Sequence, residues 1–204
     1  MLGKSWLCIL ILVFTVTMPL ASPADAAAGV TPITSCSSPN GYTISSPGTY
    51  VVTKDLTAIH DVFHGIAFNN CIVISASDVI LDLGGHTLTG IANFVGVTIK
   101  PGADDVTVED GTINGFSTTI QTSALHSTIK DLTLQTFESP SLLLIGADNS
   151  IVKNNEVNYS NGGGIVLIRT NNTVVAGNTL FGVDVVGIEI ADGSSHNEVI
   201  RPLC

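Results

Sequence analysis

The sequence predicts an all-β protein whose strands wind into a parallel β-helix, a solenoid built by repeating one short motif. The first observation behind this prediction is the motif itself, DVILDLGGHTLTG at residues 78–90, which the chain restates four times. The later copies are DVTVEDGTINGF (105–116), STIKDLTLQTF (127–137), SIVKNNEVNYS (150–160) and NTVVAGNTLFG (172–182).

The second observation is a set of three apolar columns that share one drifting period. Aligning Leu81, Val108, Ile129, Val152, Val175 and Ile200 gives steps of 27, 21, 23, 23 and 25 residues. A second column contains Leu88, Ile113, Leu134, Val157 and Leu180, and a third contains Ile74, Ile99, Ile120, Ile145, Ile168 and Ile190. Columns with a common period indicate coils that stack on one another.

The third observation is the local chemistry within each repeat. Short β-branched runs alternate polar and apolar residues, as in residues 106–109 and 187–190, which is typical of strands with one buried face. Gly, Asn, Asp and Ser separate these runs and favour tight turns. No repeat has ten residues at helical spacing, which excludes a leucine-rich repeat. We therefore expect three strands per coil and about five to six coils.

The chain divides into three segments. Residues 1–26 have Lys4, an apolar run at 6–16 and the small-residue site Ala24-Asp25-Ala26, which together predict a secretory signal peptide and a location outside the cell, at its surface or in the periplasm. Residues 33–36 also fit a lipid-attachment box loosely. Residues 27–70 are interpreted as a small N-terminal cap and 71–204 as the repeats, which end so abruptly that the solenoid is either truncated or covered at its end by a partner or a second copy.

Composition narrows the partners. The net charge is −10 at pH 7, so nucleic acid is not expected to bind, because it requires clustered Lys and Arg. No apolar run in the repeats predicts membrane insertion. Cys36 and Cys71 are the natural disulfide pair in an oxidising compartment, the alternative being two buried thiols, and this leaves Cys204 unpaired.

Two further patterns concern metal binding and turns. His60 and His64 flank Asp61, but no helix signal or third ligand accompanies them, so we interpret them as part of a cap loop and predict no metal site there. Asn155 and Asn178 occupy one repeat position 23 residues apart. Amides stacked in this way are expected to hydrogen-bond from coil to coil.

Three segments carry a resemblance to known proteins: SSPGTYVVTKDL (45–56), CIVISASDVILDLGGHTLTG (71–90) and GVTIKPGADDVTVEDGTING (96–115). They resemble secreted right-handed parallel β-helix repeat proteins of the pectate-lyase-like superfamily. The resemblance implies a right-handed, single-stranded parallel β-helix. The superfamily holds polygalacturonases, carbohydrate-binding and sugar-hydrolase domains and copper-site maturation proteins, so the resemblance fixes no single activity. The Asn-Thr-Asp, Gly-His-Gly and Arg-Ile-Lys motifs of polygalacturonases are absent from this sequence.

The candidate catalytic residues are Asp82, Glu109 and Lys130. They follow members of the first apolar column and should face solvent on adjacent coils, which lie ~4.8 Å apart, with Lys153, Ala176 and Arg201 continuing the row. Glu109 and Lys130 should then be in contact. Asp82 and Glu109 would suit glycoside hydrolysis or Ca²⁺ binding, and Lys130 would be the base of a Ca²⁺-dependent lyase. The alternative is a cross-strand charge ladder worth ~0.2–1 kcal/mol per pair.

Two functional hypotheses follow. The first is a non-catalytic β-helix outside the cytoplasm that binds a polysaccharide or forms part of a surface assembly, with no cofactor. The second is a polysaccharide lyase or glycoside hydrolase, or a fragment of one, for which Ca²⁺ is the compatible cofactor. The absent motifs and the low aromatic content of 5% favour the non-catalytic hypothesis and argue against stacked sugars.

Overall fold

The computed structural model describes residues 29–36, 41–58, 70–91, 93–136 and 138–201. Within these ranges the chain forms nineteen strands and no helix, and every strand pairing is parallel. The strands form one 12-stranded and one 7-stranded sheet. The prediction of an all-β parallel solenoid with three strands per coil is confirmed.

Each coil contributes strands to three faces. The first face contains β1 (Thr31–Ile33), β3 (Gly48–Val52), β6 (Val79–Asp82), the first part of β9 (Val106–Phe116), the first part of β11 (Thr128–Thr136), β13 (Ile151–Lys153), β16 (Val174–Ala176) and β19 (Glu198–Ile200). The second face contains β4 (Leu56–Thr57), β7 (Thr87–Thr89), the later parts of β9 and β11, β14 (Glu156–Ser160) and β17 (Thr179–Val183). The 7-stranded sheet is the third face, with β2 (Tyr42–Ile44), β5 (Ile72–Ile74), β8 (Val95–Ile99), β10 (Thr118–Thr122), β12 (Leu142–Ile145), β15 (Ile165–Ile168) and β18 (Ile188–Ala191).

The strand register confirms most of the first two apolar columns. Leu81, Val108, Ile129, Val152 and Val175 are consecutive partners on the first face, and Leu88, Ile113, Leu134, Val157 and Leu180 are consecutive partners on the second. The final member of the first column was wrong, because Val175 pairs with Val199 and not with Ile200. Ile200 is instead the partner of Ala176, so Arg201 does not continue the row of candidate residues.

The third predicted column was also wrong, because it mixed two registers. The inward columns of the third face are Ile72, Val97, Ile120, Leu142, Ile165 and Ile188, and Ile74, Ile99, Thr122, Leu144, Leu167 and Ile190. Strands such as Leu142–Ile145 carry apolar residues on both sides, so alternation alone does not choose the register. Thr122 takes a place in the core because its hydroxyl is 2.9 Å from the Ser127 hydroxyl.

The solenoid has about seven coils rather than the predicted five to six. The additional strands come from the segment that the sequence suggested was a cap. Tyr42–Ile44 pairs in register with Ile72–Ile74, and Gly48–Val52 lies between β1 and β6. These strands are short and follow no regular period, so the repeat search did not detect them.

The interior is a continuous apolar core running through the described coils. At the N-terminal end, a disulfide joins Cys36 and Cys71, the pair that the sequence suggested. Lipid attachment at Cys36 is therefore incompatible with this structure, because its sulfur is bonded to Cys71. The signal peptide, the His60–His64 loop and Cys204 lie outside the described residues. None of the described residues belongs to a helix long and apolar enough to cross a membrane.

Candidate functional site

The three candidate catalytic residues lie in one outward row on the first face. Asp82 is the register partner of Glu109, and Glu109 is the partner of Lys130. The Lys130 Nζ lies 2.5 Å from the Glu109 Oε2 and 3.8 Å from the Asp131 Oδ2. The expected contact between Glu109 and Lys130 is therefore confirmed, and Lys153 follows Lys130 in the row.

The charges in this row are already paired within the protein. The hydrogen bond to Glu109 raises the pKa of Lys130, and the charges of Glu109 and Asp131 add to this effect against a small opposing desolvation. A general base works best with a pKa near the working pH, so a lysine held protonated is poorly suited to abstract a proton. The Asp82 Oδ1 accepts a hydrogen bond of 2.7 Å from the backbone N–H of Gly84. The row therefore has the features of a charge ladder that also secures a turn.

Metal binding finds little support on this face. Asp82 and Glu109 are the carboxylates in the row that could contact a cation, and Glu109 would have to exchange Lys130 for it. Among the residues that the structure describes, no group of three or more His, Cys, Asp or Glu side chains is arranged to hold a metal ion.

The second face has a different surface, formed by two outward columns of polar side chains. One column contains Thr87, Thr112, Thr133, Glu156 and Thr179, and the other contains Thr89, Asn114, Gln135, Asn158 and Phe181. One inward residue separates the columns, which places them about 7 Å apart, and successive coils are ~4.8 Å apart. The result is a regular grid of hydroxyl and amide groups.

Several of these groups are available for a ligand. The side-chain amides of Asn114 and Gln135 are half-buried and make no hydrogen bond to another described residue. Asn158 donates a hydrogen bond of 2.7 Å to the Glu156 Oε1, which leaves its amide oxygen free within this pair. Glu156 is the one charged residue in the two columns, so the grid is almost neutral.

Two aromatic rings stand at the later end of this grid. Tyr159 and Phe181 are 51% and 62% exposed, and their centroids lie 5.7 Å apart with planes at 85°. The sequence analysis missed this pair because it counted aromatic residues and did not locate them. A signal was available, since the two residues are 22 positions apart, which is close to the repeat step.

These features define a class of protein: a disulfide-linked parallel β-helix with a paired charge ladder on one face and a polar grid ending in exposed aromatic rings on another. The family model described as "Right handed beta helix region" matches residues 49–201. The chain therefore belongs to the right-handed β-helix family, as the sequence resemblance predicted. No curated protein and no solved structure gave a significant match.

Proposed function

We propose that this β-helix is a non-catalytic carbohydrate-binding module that acts outside the cytoplasm. The observation that carries the proposal is the second-face grid, with its regular hydroxyl and amide groups and its two aromatic rings. Ligand sites combine apolar or aromatic contact surfaces with a few placed polar groups that orient the ligand. Polysaccharides present hydroxyl groups along an extended chain, which matches a grid that runs along the solenoid axis.

The state of the candidate catalytic row supports the non-catalytic part of the proposal. Glu109 is neutralised by Lys130, and Asp82 accepts a backbone hydrogen bond. A nucleophile or base in this row would first have to break a contact that holds adjacent coils together. The enzymatic alternative therefore needs a rearrangement, whereas binding at the second face needs none.

The disulfide supports a location outside the cytoplasm. Disulfides persist in secreted, surface and periplasmic proteins and are rare where thiols are kept reduced. The bond between Cys36 and Cys71 is thus consistent with the leader-like residues 1–26 of the sequence.

The test is a paired measurement of binding and cleavage on a panel of neutral and uronic-acid polysaccharides, first with Ca²⁺ and then with a chelator. We expect retention of the protein on at least one polysaccharide and no new chain ends. The variant with Asn114→Ala and Gln135→Ala should bind about tenfold more weakly, because it loses both free amides of the grid. Glu109→Gln on the first face is the matched control and should bind as the native protein does.

Two results would contradict the proposal. New chain ends that disappear in Glu109→Gln would establish the enzymatic hypothesis and place the reaction on the first face. Absence of retention on every polysaccharide would remove the carbohydrate-binding role.

A further inference from the structure

The backbone at Tyr159 adopts a conformation that bulky residues rarely take. Its φ is +53°, in the left-handed region that normally selects Gly, Asn or Asp. In the next coil this position is Gly182, with φ +64°, since Asn158 pairs with Phe181 and Ser160 with Val183. In an earlier coil, Gly115 follows the column residue Asn114 in the same way, with φ +75°. A tyrosine therefore occupies a place where neighbouring coils use glycine.

The surrounding residues accommodate this tyrosine. A Cβ added to Gly182 would lie 2.9 Å from the Tyr159 Cδ1, so the missing side chain leaves the room that the ring needs. Ser160, directly after Tyr159, is fully buried and donates a hydrogen bond of 3.1 Å to the Ser139 carbonyl, which anchors the strand. The backbone is held in place while the ring of Tyr159 remains half exposed.

The pairing of Tyr159 with Phe181 does little to bury either ring. In an edge-to-face pair, the ring that contributes its edge keeps both of its faces clear of the other ring. Strained conformations persist where surrounding structure enforces them, and they cluster at functional sites. Exposed aromatic rings in a strained position beside free amides are therefore better explained by a ligand than by packing.

We propose that Tyr159 and Phe181 form a stacking subsite for a sugar ring of a neutral glycan, an inference that rests on the proposed carbohydrate-binding function. The apolar face of a sugar ring would lie on an aromatic ring, and its hydroxyl groups would reach the Asn158 amide. A neutral glycan is favoured because the two grid columns contain Glu156 and no Lys or Arg, on a chain with a net charge of −10. A polyuronate would be repelled at low salt.

The experiment measures binding isotherms of the purified protein on cellulose, chitin, xylan and polygalacturonate. The variants are Tyr159→Asn, which keeps a residue that tolerates positive φ, and Phe181→Ala. We expect each to weaken binding to the preferred neutral glycan by about tenfold or more, because aromatic anchors dominate contacts of this kind. Ile80→Ala, which removes an apolar side chain 42% exposed on the first face, is the control and should bind as the native protein does.

Thermal unfolding of the same variants separates a binding role from a structural one. We expect Tyr159→Asn to melt at or above the native temperature, because the strain is relieved, while its binding is lost. If the native protein binds a neutral glycan and both aromatic variants bind equally well, the subsite is wrong and the proposed function stands. If the native protein binds none of the glycans, both are wrong. Tighter binding of polygalacturonate than of the neutral glycans would overturn the assignment of a neutral ligand.

Discussion

At the scale of single residues, the bends of the coil depend on residues that tolerate a left-handed backbone. One such residue precedes each strand of the first face from β6 onward: Asp78, Asp105, His126, Asn149, Asn172 and His196, all with φ between 55° and 58° except Asn172 at 53°. A second set, Asp110, Asp131, Asn154 and Gly177, follows the same strands. Asp, Asn and Gly have the lowest cost in this region, so the repeated Asp and Asn residues mark bends.

The predicted amide ladder is present at the second of these bends. The Asn155 Nδ2 donates to the Asn178 Oδ1 and to the Ile129 carbonyl, both at 3.0 Å, and the Asn155 Oδ1 accepts from the Leu132 N–H at 3.1 Å. Asn155 is 2% exposed, so it satisfies backbone groups that water does not reach. The sequence identified this pair because both residues kept the repeat spacing.

We predict that Asn155→Ala lowers the free energy of unfolding by about 2–4 kcal/mol. The substitution leaves the Leu132 N–H and the Ile129 carbonyl without their side-chain partner, and each unsatisfied buried group costs ~1–3 kcal/mol. Urea denaturation followed by circular dichroism measures the loss. Asn158→Ala is the control, because its side chain bonds to exposed Glu156, and it should change stability by less than ~0.5 kcal/mol. Equal losses in the two variants would show that the ladder does not carry the effect.

At the scale of strands, close stacking of coils requires glycine where two turns meet. Gly164 precedes β15, and Gly187 holds the same place in the next coil before β18. A Cβ on Gly164 would lie 2.4 Å from the Gly187 carbonyl oxygen and 2.4 Å from the Leu180 Cδ2. A Cβ on Gly187 would meet only the Leu180 Cδ2, at 3.6 Å. The same repeat position is therefore crowded in one coil and open in the other.

This pair provides a test of coil stacking. We predict that Gly164→Ala destabilises the protein by about 1–3 kcal/mol, because the neighbouring backbone must move to admit the methyl group. Gly187→Ala should change the free energy of unfolding by less than about 1 kcal/mol, since its φ is not in the left-handed region. Chemical denaturation of both variants measures the difference. A Gly187→Ala variant as unstable as Gly164→Ala would contradict the assigned spacing of the coils.

At the scale of the whole molecule, the two ends of the solenoid differ. The inward side chains of the early strands are covered, with Ile33, Ile44 and Leu56 at most 3% exposed. In the last described coil, Ile190 and Val199 are each 42% exposed. With Leu180 and Ile188 they line a cleft of about 650 Å³. The expectation that a partner or second copy covers this end stays a prediction.

The disulfide is the covalent link at the covered end, and its removal should weaken the whole fold. We predict that replacing both Cys36 and Cys71 with Ser lowers the free energy of unfolding by about 2–4 kcal/mol, because the bond restricts the unfolded chain across a separation of 35 residues. Thermal and urea unfolding measure the change. A reducing agent should destabilise the native protein by a similar amount and leave the double variant unaffected. A reductant that destabilises both equally would show that the bond is not responsible.

The sequence by itself determined the repeat, the strands and most of two core columns. These follow from a local property, since alternate residues of a strand point to opposite sides and the left-handed bends accept few residue types. The same reasoning located Cys36 with Cys71, Asn155 with Asn178, and Glu109 with Lys130, because each pair depends only on which coils are adjacent.

Only the tertiary structure decided the features that depend on register between coils. Alternation could not align the third face, where strands such as Leu142–Ile145 are apolar on both sides, and it assigned Ile200 in place of Val199. Coils of unequal length shift the faces relative to one another, so sequence spacing alone did not bring Tyr159 and Phe181 together. The second-face grid and its aromatic end therefore emerge from the stacking of the coils, because their contacts join residues that no single repeat contains.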